Sequence, residues 1–352
     1  MSGTADRGPE SRTLRDRVTA PATVELPTVG VGIVWRPVTV ADIDPILDLK
    51  RAAGRVDHPR VTQTRDEIEE EFASDNFDPE RDAVIGVDST GRAVAYASAE
   101  APESVETLAC VELDAAVAPD RRGEGLGSAL LAWQEARGLQ HLAACDTTAP
   151  GWLMSMTHEH AHSTIRLLET HGYDRARWWL ELELDLDTPI AEPPSPPDVR
   201  LVPYGPQWQE ETRSARNDAF RDHWGSPPIT AEDWASADRL SASRPDLSLL
   251  AVTTADDGER VDGFVLVDVD EDEWPLRDGP FGYITTVGTR RAARGLGLAR
   301  TLMAHVLRRM RADGLRRAVL EVDADSPTGA LGLYQSFGFT VGDRSVSLVK
   351  RF

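Results

Sequence analysis

The sequence predicts an α+β protein built from two similar domains in tandem, each with a mixed, mostly antiparallel sheet flanked by helices. The chain of 352 residues is long enough for two domains of average size. Landmarks recur along it: Pro37 returns as Pro203 after 166 residues and Gly125 as Gly295 after 170. The segment "LLETHGY" returns as "LYQSFGF" after 166. A repeat at nearly constant spacing indicates a duplicated domain.

A proline-rich stretch, "DLDTPIAEPPSPPDV", separates the two copies and is typical of a stiff, extended linker. We therefore divide the chain into a leader at 1–30, an N-terminal domain at 31–186, the linker at 187–198 and a C-terminal domain at 199–352. The leader is polar and lacks the apolar core of a signal peptide, so we expect it to be disordered.

Both copies show the same succession of predicted elements. A short strand, at 32–38 and again at 199–203, precedes helical sequence, and a hairpin follows ("AVIGVDSTGRAVAYASAE"; "SLLAVTTADDGERVDGFVLVDV"). A further strand ("CVELDAAV"; "GYITTVG") then leads through a glycine turn into a helix. In the second copy a strand, "RRAVLEVDA", and a short helix, "TGALGLYQSFG", close the unit. Strands that are first paired and then separated by helices favour an α+β fold.

Composition limits the possible functions. The net charge of -21 disfavours nucleic-acid binding, because a polyanion would be repelled, and it favours a cationic small substrate. We find no run near the roughly 18 apolar residues of a membrane helix. Cys110 and Cys145 are too few for a disulfide framework and are expected to be reduced thiols. These features predict a cytoplasmic protein without membrane or nucleic-acid partners; they do not indicate an oligomeric state.

The two glycine turns are candidate anion cradles. A helix N-terminus presents unpaired N–H groups and roughly half a positive charge. Glycines there let a phosphate approach the backbone. A dinucleotide-binding turn fits poorly, because it requires G-x-G-x-x-G and Arg300 occupies the third glycine position in the second copy. A Walker A loop is excluded, since the sequence contains no GK[ST].

The first turn, "VAPDRRGEGLG", resembles the acetyl-CoA pyrophosphate loop of the GNAT superfamily of N-acetyltransferases. Arg122, Gly125 and Gly127 match that family's Q/R-x-x-G-x-G/A pattern. The second copy departs from it, with Ala292 where the family has Gln or Arg, although neighbouring arginines could supply the charge. The resemblance covers 32–186 and 199–352. Together with "RNDAFRDHWG" and "VDADSPTGALGLYQSFGF", the tandem repeat is similar to GNAT proteins of the mycothiol synthase type, but "DHWGSPP" stands in place of their HPEQ-like stretch.

The resemblance implies transfer of an acetyl group from acetyl-CoA to a primary amine of a small molecule. It also implies two CoA cradles: Val117, Arg121, Arg122, Gly123, Glu124, Gly125, Leu126, Gly127 and Ser128 in the first copy, and Val287, Gly288, Thr289, Arg291, Ala292, Ala293, Arg294, Gly295, Leu296, Gly297 and Leu298 in the second. Two alternatives stay open: a variant mycothiol synthase, and a non-catalytic acyl-CoA binder or sensor.

Acetyl transfer requires a base for the amine and an acid for the departing thiolate. In GNAT enzymes a tyrosine of the last helix commonly protonates the thiolate, and Tyr334 occupies the matching position. The first copy has Leu168 there, which cannot carry a proton. Tyr334 could instead be a packing residue beside Phe337 and Phe339. We expect catalysis in the C-terminal domain and a degenerate N-terminal copy, for which binding of CoA and loss of that binding both stay open.

The candidate base is Glu321, which alternates with Asp323 on one face of a predicted strand. If water carried away the proton of the amine, neither Glu321 nor Asp323 would be needed as a base. Ser326 lies where the family usually has Asn. It either caps the last helix, with Pro327 at the first helical position, or contacts CoA.

Three further segments are expected to be structural. "THEHAHS" contains His158, His160 and His162 but lacks a set of ligands typical of zinc, so no metal site is predicted. "DVDEDEW" at 268–274 is interpreted as a solvated loop, or as an acidic rim that attracts an amine. The tryptophans of "RWWLELELDL" are interpreted as core or interface residues.

Overall fold

The computed structural model describes residues 12–102, 104–191, 198–237, 241–255, 258–326 and 328–352. They divide into two compact units. The first unit contains the chain up to Ala176 together with Val346–Phe352, and the second unit contains Arg177–Ser345. Within these described ranges, no helix has the length and apolar character needed to cross a membrane.

The helices and strands follow the predicted order. Those of the first half of the chain are α1 Leu14–Arg17, β1 Val34–Pro37, α2 Ile43–Asp57, α3 Arg65–Ala73, α4 Pro79–Asp82, β2 Ala83–Val87, β3 Ala93–Glu100, β4 Ala109–Val117, α5 Leu126–Ala144, β5 Gly151–His158, α6 His162–Thr170 and β6 Asp174–Asp185. Those of the second half are β7 Val199–Pro203, α7 Gln209–Ala219, α8 Ala231–Ala237, β8 Leu249–Ala255, β9 Gly258–Asp268, β10 Phe281–Thr289, α9 Leu298–Ala312, β11 Arg317–Asp323, α10 Ala330–Phe337 and β12 Thr340–Arg351.

Each unit contains a mixed, mostly antiparallel sheet, so the predicted fold class is confirmed. In the first unit β1 to β4 pair antiparallel in chain order, and β5 joins β4 in parallel. In the second unit β7 to β10 pair in the same way, and β11 joins β10 in parallel. The second core lies between this sheet and α9 and α10, and includes Leu302, Leu307 and Leu320.

The N-terminal segment packs against the first unit. Leu14 is fully buried and Val18 is buried. The Leu14 amide donates to the Thr147 carbonyl (2.8 Å), and the Arg17 guanidinium donates to that of Ala149. The prediction of a disordered leader is therefore wrong for residues 12–30, because Leu14 and Val18 are buried and Val24 packs against a cluster of buried residues. Residues 1–11 lie outside the described part of the chain.

The units differ from the predicted domains, 31–186 and 199–352, by one strand each. From Arg177 onward β6 belongs to the second unit, where its residues pair antiparallel with β11. Leu180, Leu182 and Leu184 of this strand are buried in the second core. The last residues of β12 belong to the first unit, where Phe352 and Gly151 exchange backbone hydrogen bonds of 2.8 and 3.2 Å. Of the predicted linker, residues 192–197 lie outside the described ranges.

In each unit the parallel strand pair separates partway along its length. The described register of β4 with β5 ends at Glu112 and Met154, although both strands continue. The register of β10 with β11 ends at Ile284 and Leu320, although β10 continues to Thr289 and β11 to Asp323. We call the gap beyond these residues the strand opening of each unit. The glycine turns follow the strands that border it.

Candidate active site

The second glycine turn connects β10 to α9 with two glycines in the left-handed conformation. Gly295 has φ of 83° and Gly297 has φ of 80°, and Gly297 is the N-cap residue of α9. A Cβ placed on either glycine would meet no atom within 4 Å. The backbone therefore borders open space, and the first N–H groups of α9 lack helical partners. This cradle fits an anionic group such as a pyrophosphate.

The first turn has the same geometry, but the equivalence differs from the one predicted. Gly123 and Gly125 have φ of 83° and 82°, and Gly125 is the N-cap of α5. Gly125 therefore corresponds to Gly297, 172 residues later, and the sequence pairing of Gly125 with Gly295 is wrong by two residues. Sequence reasoning matched the glycines by their spacing alone, whereas backbone conformation identifies the N-cap.

The corrected equivalence restores the family pattern in the second copy. Arg294, Gly297 and Ala299 now match Q/R-x-x-G-x-G/A. The apparent departure at Ala292 disappears, because Ala292 lies in a short 3₁₀ turn, Arg291–Ala293, before the pattern begins. The two turns could be aligned correctly only from the structure, by the glycine that caps the N-terminus of each helix.

The arginines of the first turn are neutralised by carboxylates. Arg121 forms a bidentate pair with Glu124, with both N–O distances 2.8 Å. Arg122 pairs with Asp57 at 2.6 and 2.9 Å and also donates to the Val117 carbonyl at 3.4 Å. Little positive potential is left at this turn.

The second turn keeps more of its positive charge. Arg294 donates to the Ala219 carbonyl (2.8 Å), and it forms no ion pair within the described ranges. Arg291 pairs with Asp222 at 3.1 Å, but both side chains are about half exposed. The second turn is therefore the more electropositive of the two and the better suited to a pyrophosphate.

The remaining predicted cradle residues are distributed around these turns. Ala293 and Leu298 are buried and anchor the second turn, whereas Leu296 is exposed. Gly288 is required by packing, since a Cβ there would lie 2.2 Å from Phe264. Val287 packs at the edge of the second core, and Thr289 ends β10. In the first turn Leu126 is buried, Gly127 faces Leu167, and Gly123 and Ser128 are exposed.

A bulge in β10 is a feature that the sequence did not reveal. The register of β10 with β9 shifts between Ile284 and Thr286, which leaves Thr285 as the extra residue. The equivalent strand β4 pairs with β3 without a shift from Ala95↔Val117 to Glu100↔Glu112. A bulge takes backbone groups out of the ladder. In the second unit only, this irregularity lies at the start of the strand opening.

Tyr334 lies on α10, buried against the second core, with its ring 6.0 Å from that of Phe339. Burial raises the pKa of its phenol to about 12, so the group is protonated at neutral pH. Its hydroxyl has no hydrogen-bond partner among the described residues. The ring therefore packs as the second interpretation of the sequence expected, and the role of Tyr334 as an acid stays a prediction. The first unit has buried Leu168 at this position.

Glu321 lies on β11 directly opposite Glu181 of β6. Burial raises the pKa of Glu321 to about 7, and the nearby Glu181 charge adds to this effect. Glu181 is itself held by buried Arg277 at 2.7 and 2.8 Å. Within the described ranges Glu321 has neither a hydrogen-bond partner nor an ion pair. It is a partly buried carboxyl group whose pKa suits general-base catalysis at neutral pH.

Tyr283 is a third polar group at this site, and sequence reasoning missed it. It pairs with Val319 on β11, two residues before Glu321, so both side chains lie on the same face of the sheet. Burial and then the Glu321 charge raise the pKa of its phenol. The first unit has Val111 and Ser155 where the second has Tyr283 and Glu321, judged from the matching strand registers.

Tyr334 and Glu321 lie on opposite faces of the sheet. Val322 belongs to the same buried cluster as Tyr334, and neighbouring strand residues alternate between faces. Asp323 shares the face of Glu321, but its carboxylate accepts from the Asp325 amide (2.9 Å) and lies 3.7 Å from Arg177. A ligand that passed through the second strand opening would have the Tyr334 phenol on one side of the sheet and the Glu321 carboxyl group on the other.

Ser326 is not the cap of the last helix, so that interpretation is wrong. Helix α10 begins at Ala330 with Gly329 as its N-cap (φ 72°), and the Ser326 hydroxyl instead hydrogen-bonds with that of Thr328 at 2.9 Å. Pro327, expected at the first helical position, lies outside the described residues. A contact between Ser326 and CoA stays a prediction.

The histidines of "THEHAHS" are not all in an exposed loop. His158 ends β5 and is buried, and its Nδ1 accepts from the His160 amide at 3.3 Å. The acidic segment contains a 3₁₀ turn, Glu271–Leu276, in which the Trp274 indole donates to the Phe281 carbonyl (3.1 Å). That bond gives this segment a structural contact beside its exposed carboxylates.

Comparisons with known proteins show the family and the fold of the chain. The model of the acetyltransferase (GNAT) family matches residues 45–173 and 209–339. A mycothiol acetyltransferase of Thermobispora bispora is 32% identical over 64% of this chain and 70% of the relative. One of Frankia alni is 28% identical over 91% and 95%.

Two solved structures also resemble the chain. A GCN5-related N-acetyltransferase from Sphaerobacter thermophilus has 29% identity and a TM-score of 0.67, over 92% of this chain and 97% of that one. A tandem GNAT protein from the clavulanic acid biosynthesis pathway has 16% identity, a TM-score of 0.67 and coverages of 91% and 98%. The second likeness concerns the fold alone.

Proposed function

The chain belongs to the acetyltransferase (GNAT) family, and from that premise we propose that its second unit moves an acetyl group from acetyl-CoA to a primary amine of a small molecule. The contrast between the units carries the proposal. The second unit has Tyr283, Glu321 and Tyr334 around its strand opening, where the first has Val111, Ser155 and Leu168. At these three positions only the second unit has side chains able to move a proton.

Acetyl-CoA would bind with its pyrophosphate on the second glycine turn. The open backbone at Gly295 and Gly297 and the unpaired charge of Arg294 support this placement. The pantetheine arm would run along Val287 and Gly288 into the second strand opening. The neutralised arginines of the first turn favour weaker binding there.

Within the opening, backbone N–H groups freed by the bulge at Thr285 would polarise the thioester carbonyl. Glu321, which has no partner among the described residues, would take the proton that converts the ammonium group of the acceptor to the free amine. The amine nitrogen then forms a bond to the carbonyl carbon, and the carbon–sulfur bond breaks. Tyr334 gives its phenol proton to the departing thiolate and regains a proton from solvent. After the attack, the nitrogen still carries one proton more than the amide requires, and this proton leaves to solvent. Burial raises the pKa of the phenol and of a thiolate alike, which keeps this transfer feasible.

The test is release of free CoA thiol from acetyl-CoA with a panel of primary amines. Tyr334→Phe is expected to lower kcat about 100-fold, with the KM for acetyl-CoA within about twofold of wild type, because the lost hydroxyl acts on the leaving group. Tyr173→Phe is the matched control, since it removes a buried hydroxyl from the first unit. Equal losses in both variants would contradict a role specific to Tyr334.

A second candidate function is synthesis of mycothiol itself, favoured by the mycothiol acetyltransferase of Frankia alni that matches 91% of this chain. Including the unacetylated mycothiol precursor in the panel tests it, since such an enzyme would act on that amine alone. Binding of acetyl-CoA without turnover of any amine would instead favour a non-catalytic acyl-CoA sensor.

A further inference from the structure

Four half-buried aromatic rings form a cluster in the second unit. Trp179 lies on β6, while Phe220, His223 and Trp224 lie in the segment that follows α7. The Trp179 ring is 5.9 Å from that of His223 and 6.3 Å from that of Trp224, and the His223 ring is 5.1 Å from that of Phe220. We call these four residues the aromatic wall. Neither "RWWLELELDL" nor "RNDAFRDHWG" had an assigned role in acetyl transfer.

The aromatic wall stands beside Glu321. Trp179 pairs with Asp323 across β6 and β11, and Glu181 pairs with Glu321 two residues further along. Side chains paired in this way share one face of a sheet. The rings therefore border the carboxyl group that we propose as the base.

The charges on this face leave one carboxyl group unpaired. Arg277 contacts both Glu181 and Glu183, and Arg177 lies 3.7 Å from Asp323. Glu321 has no such cation among the described residues. The ammonium group of an acceptor, placed against Glu321, would supply the cation that this carboxyl group lacks.

The wall itself is largely apolar. Burial lowers the pKa of His223, so its ring is uncharged at neutral pH. The guanidinium of Arg177 lies 5.5 Å from the Trp224 ring centre and supplies that indole with a cation already. The half-buried rings remain partly accessible to solvent, and a flat or ring-shaped apolar body could pack against the accessible part.

We infer that the acceptor is a ring-bearing primary amine, whose ring lies against Trp224 and Trp179 while the amine reaches Glu321. This inference rests on the proposed function and specifies its substrate class. Open-chain amines would place the same charge at Glu321 but would leave the wall uncovered.

The test compares two ring-bearing amines, glucosamine and tyramine, with the open-chain 5-aminopentanol. Wild type should favour at least one ring-bearing amine in kcat/KM. Trp224→Ala should raise the KM for that amine about three- to tenfold, the range of one aromatic stacking contact. Trp224→Phe should recover most of the loss. The kcat and the KM for acetyl-CoA should stay within about twofold.

Trp152→Ala is the matched control. Trp152 is also half-buried and also lies against an arginine, with Arg351 at 5.8 Å from its ring centre, but it belongs to the first unit. It should leave every parameter unchanged. Trp224 follows α7 in a turn rather than in a core, so its removal is expected to leave the fold intact.

Calorimetric titration of the same amines into the CoA-bound protein separates the two proposals. Ring-bearing amines that bind in a Trp224-dependent way without any thiol release would support the wall and contradict the proposed acetyl transfer. Turnover with no preference for ring-bearing amines, or with a preference that Trp224→Ala leaves unchanged, would overturn the inference and leave acetyl transfer standing.

Discussion

At the scale of single residues, Glu321 combines burial with the lack of a partner among the described residues. A carboxyl group in that state resists ionisation, which is why its pKa rises to about 7. The same desolvation that makes the group a competent base also costs folding free energy whenever it is ionised. Glu321 therefore links activity and stability through one proton.

Activity should depend on that proton. As a base, Glu321 works only when ionised, so kcat/KM should fall about tenfold per pH unit below about 7. In Glu321→Gln the rate should drop about 100-fold, and this acidic limb should disappear from the remaining activity. A wild-type profile that is flat between pH 5 and 8 would contradict the assignment.

Stability should change in the opposite direction. The folded-state pKa of Glu321 lies above its unfolded value of about 4.5, so the folded state holds the proton more tightly. The protonated Glu321 therefore contributes to the free energy of unfolding at low pH, and this contribution is lost as the pH rises from the unfolded pKa through the folded pKa of about 7. Glu321→Gln should therefore be more stable than wild type at pH 8, by on the order of 2 kcal/mol, and indistinguishable at about pH 4, below the unfolded pKa. Urea unfolding at the two pH values measures this difference.

Residues differed in how far the sequence could identify them. Tyr334 could be proposed from the resemblance of the last helix to that of GNAT enzymes, and Glu321 from the alternation of one strand; the roles of both stay predictions. Tyr283 was missed because its importance depends on which strand lies next to β10. The aromatic wall was missed for the same reason, since Trp179 and Trp224 are 45 positions apart and meet only through the fold.

At the scale of elements, the two glycine turns have nearly the same backbone and different charge. Positive φ at both glycines of each turn creates the same cradle, while Glu124 and Asp57 neutralise the first. The sequence showed the glycines and the arginines of both turns. It did not show Asp57 as a partner, because Asp57 is 65 residues away from Arg122.

This difference predicts unequal responses to the same substitution. Arg294→Gln should raise the KM for acetyl-CoA about tenfold, since a charge-assisted contact to phosphate is lost, and should leave the KM for the amine unchanged. Arg122→Gln is the matched control and should have little effect on either constant. If both variants behaved alike, the assignment of the pyrophosphate to the second turn would be wrong.

At the scale of the whole molecule, the repeat in the sequence and the compact units in the structure do not coincide. The interval of 166 residues correctly indicated two copies of one fold. The repeat interval could not assign β6 and β12 to a unit. The alternation of apolar and polar residues in a strand predicts which face is buried, but it does not identify the strands that pair with it. Leu180, Leu182 and Leu184 bury in the second core although they precede the linker.

The exchange of strands predicts which fragments fold. A fragment of residues 177–345 keeps every strand of the second unit and should give cooperative urea unfolding with a folded far-ultraviolet spectrum. A fragment of residues 199–352, cut at the sequence repeat, lacks those three leucines and should be unfolded or aggregated. If the two fragments were equally stable, β6 would be dispensable to the second core.

The exchange also sets the order in which the protein can mature. The first unit combines the chain up to Ala176 with Val346–Phe352, which a ribosome makes only after the whole of the second unit, Arg177–Ser345. Domains usually fold one after another during synthesis, the N-terminal one first. Here the first unit cannot complete its backbone hydrogen bonds at Gly151 until Phe352 has been synthesised. A stop codon just before Val346 would therefore destabilise the first unit, although most of that unit is encoded upstream of the second unit.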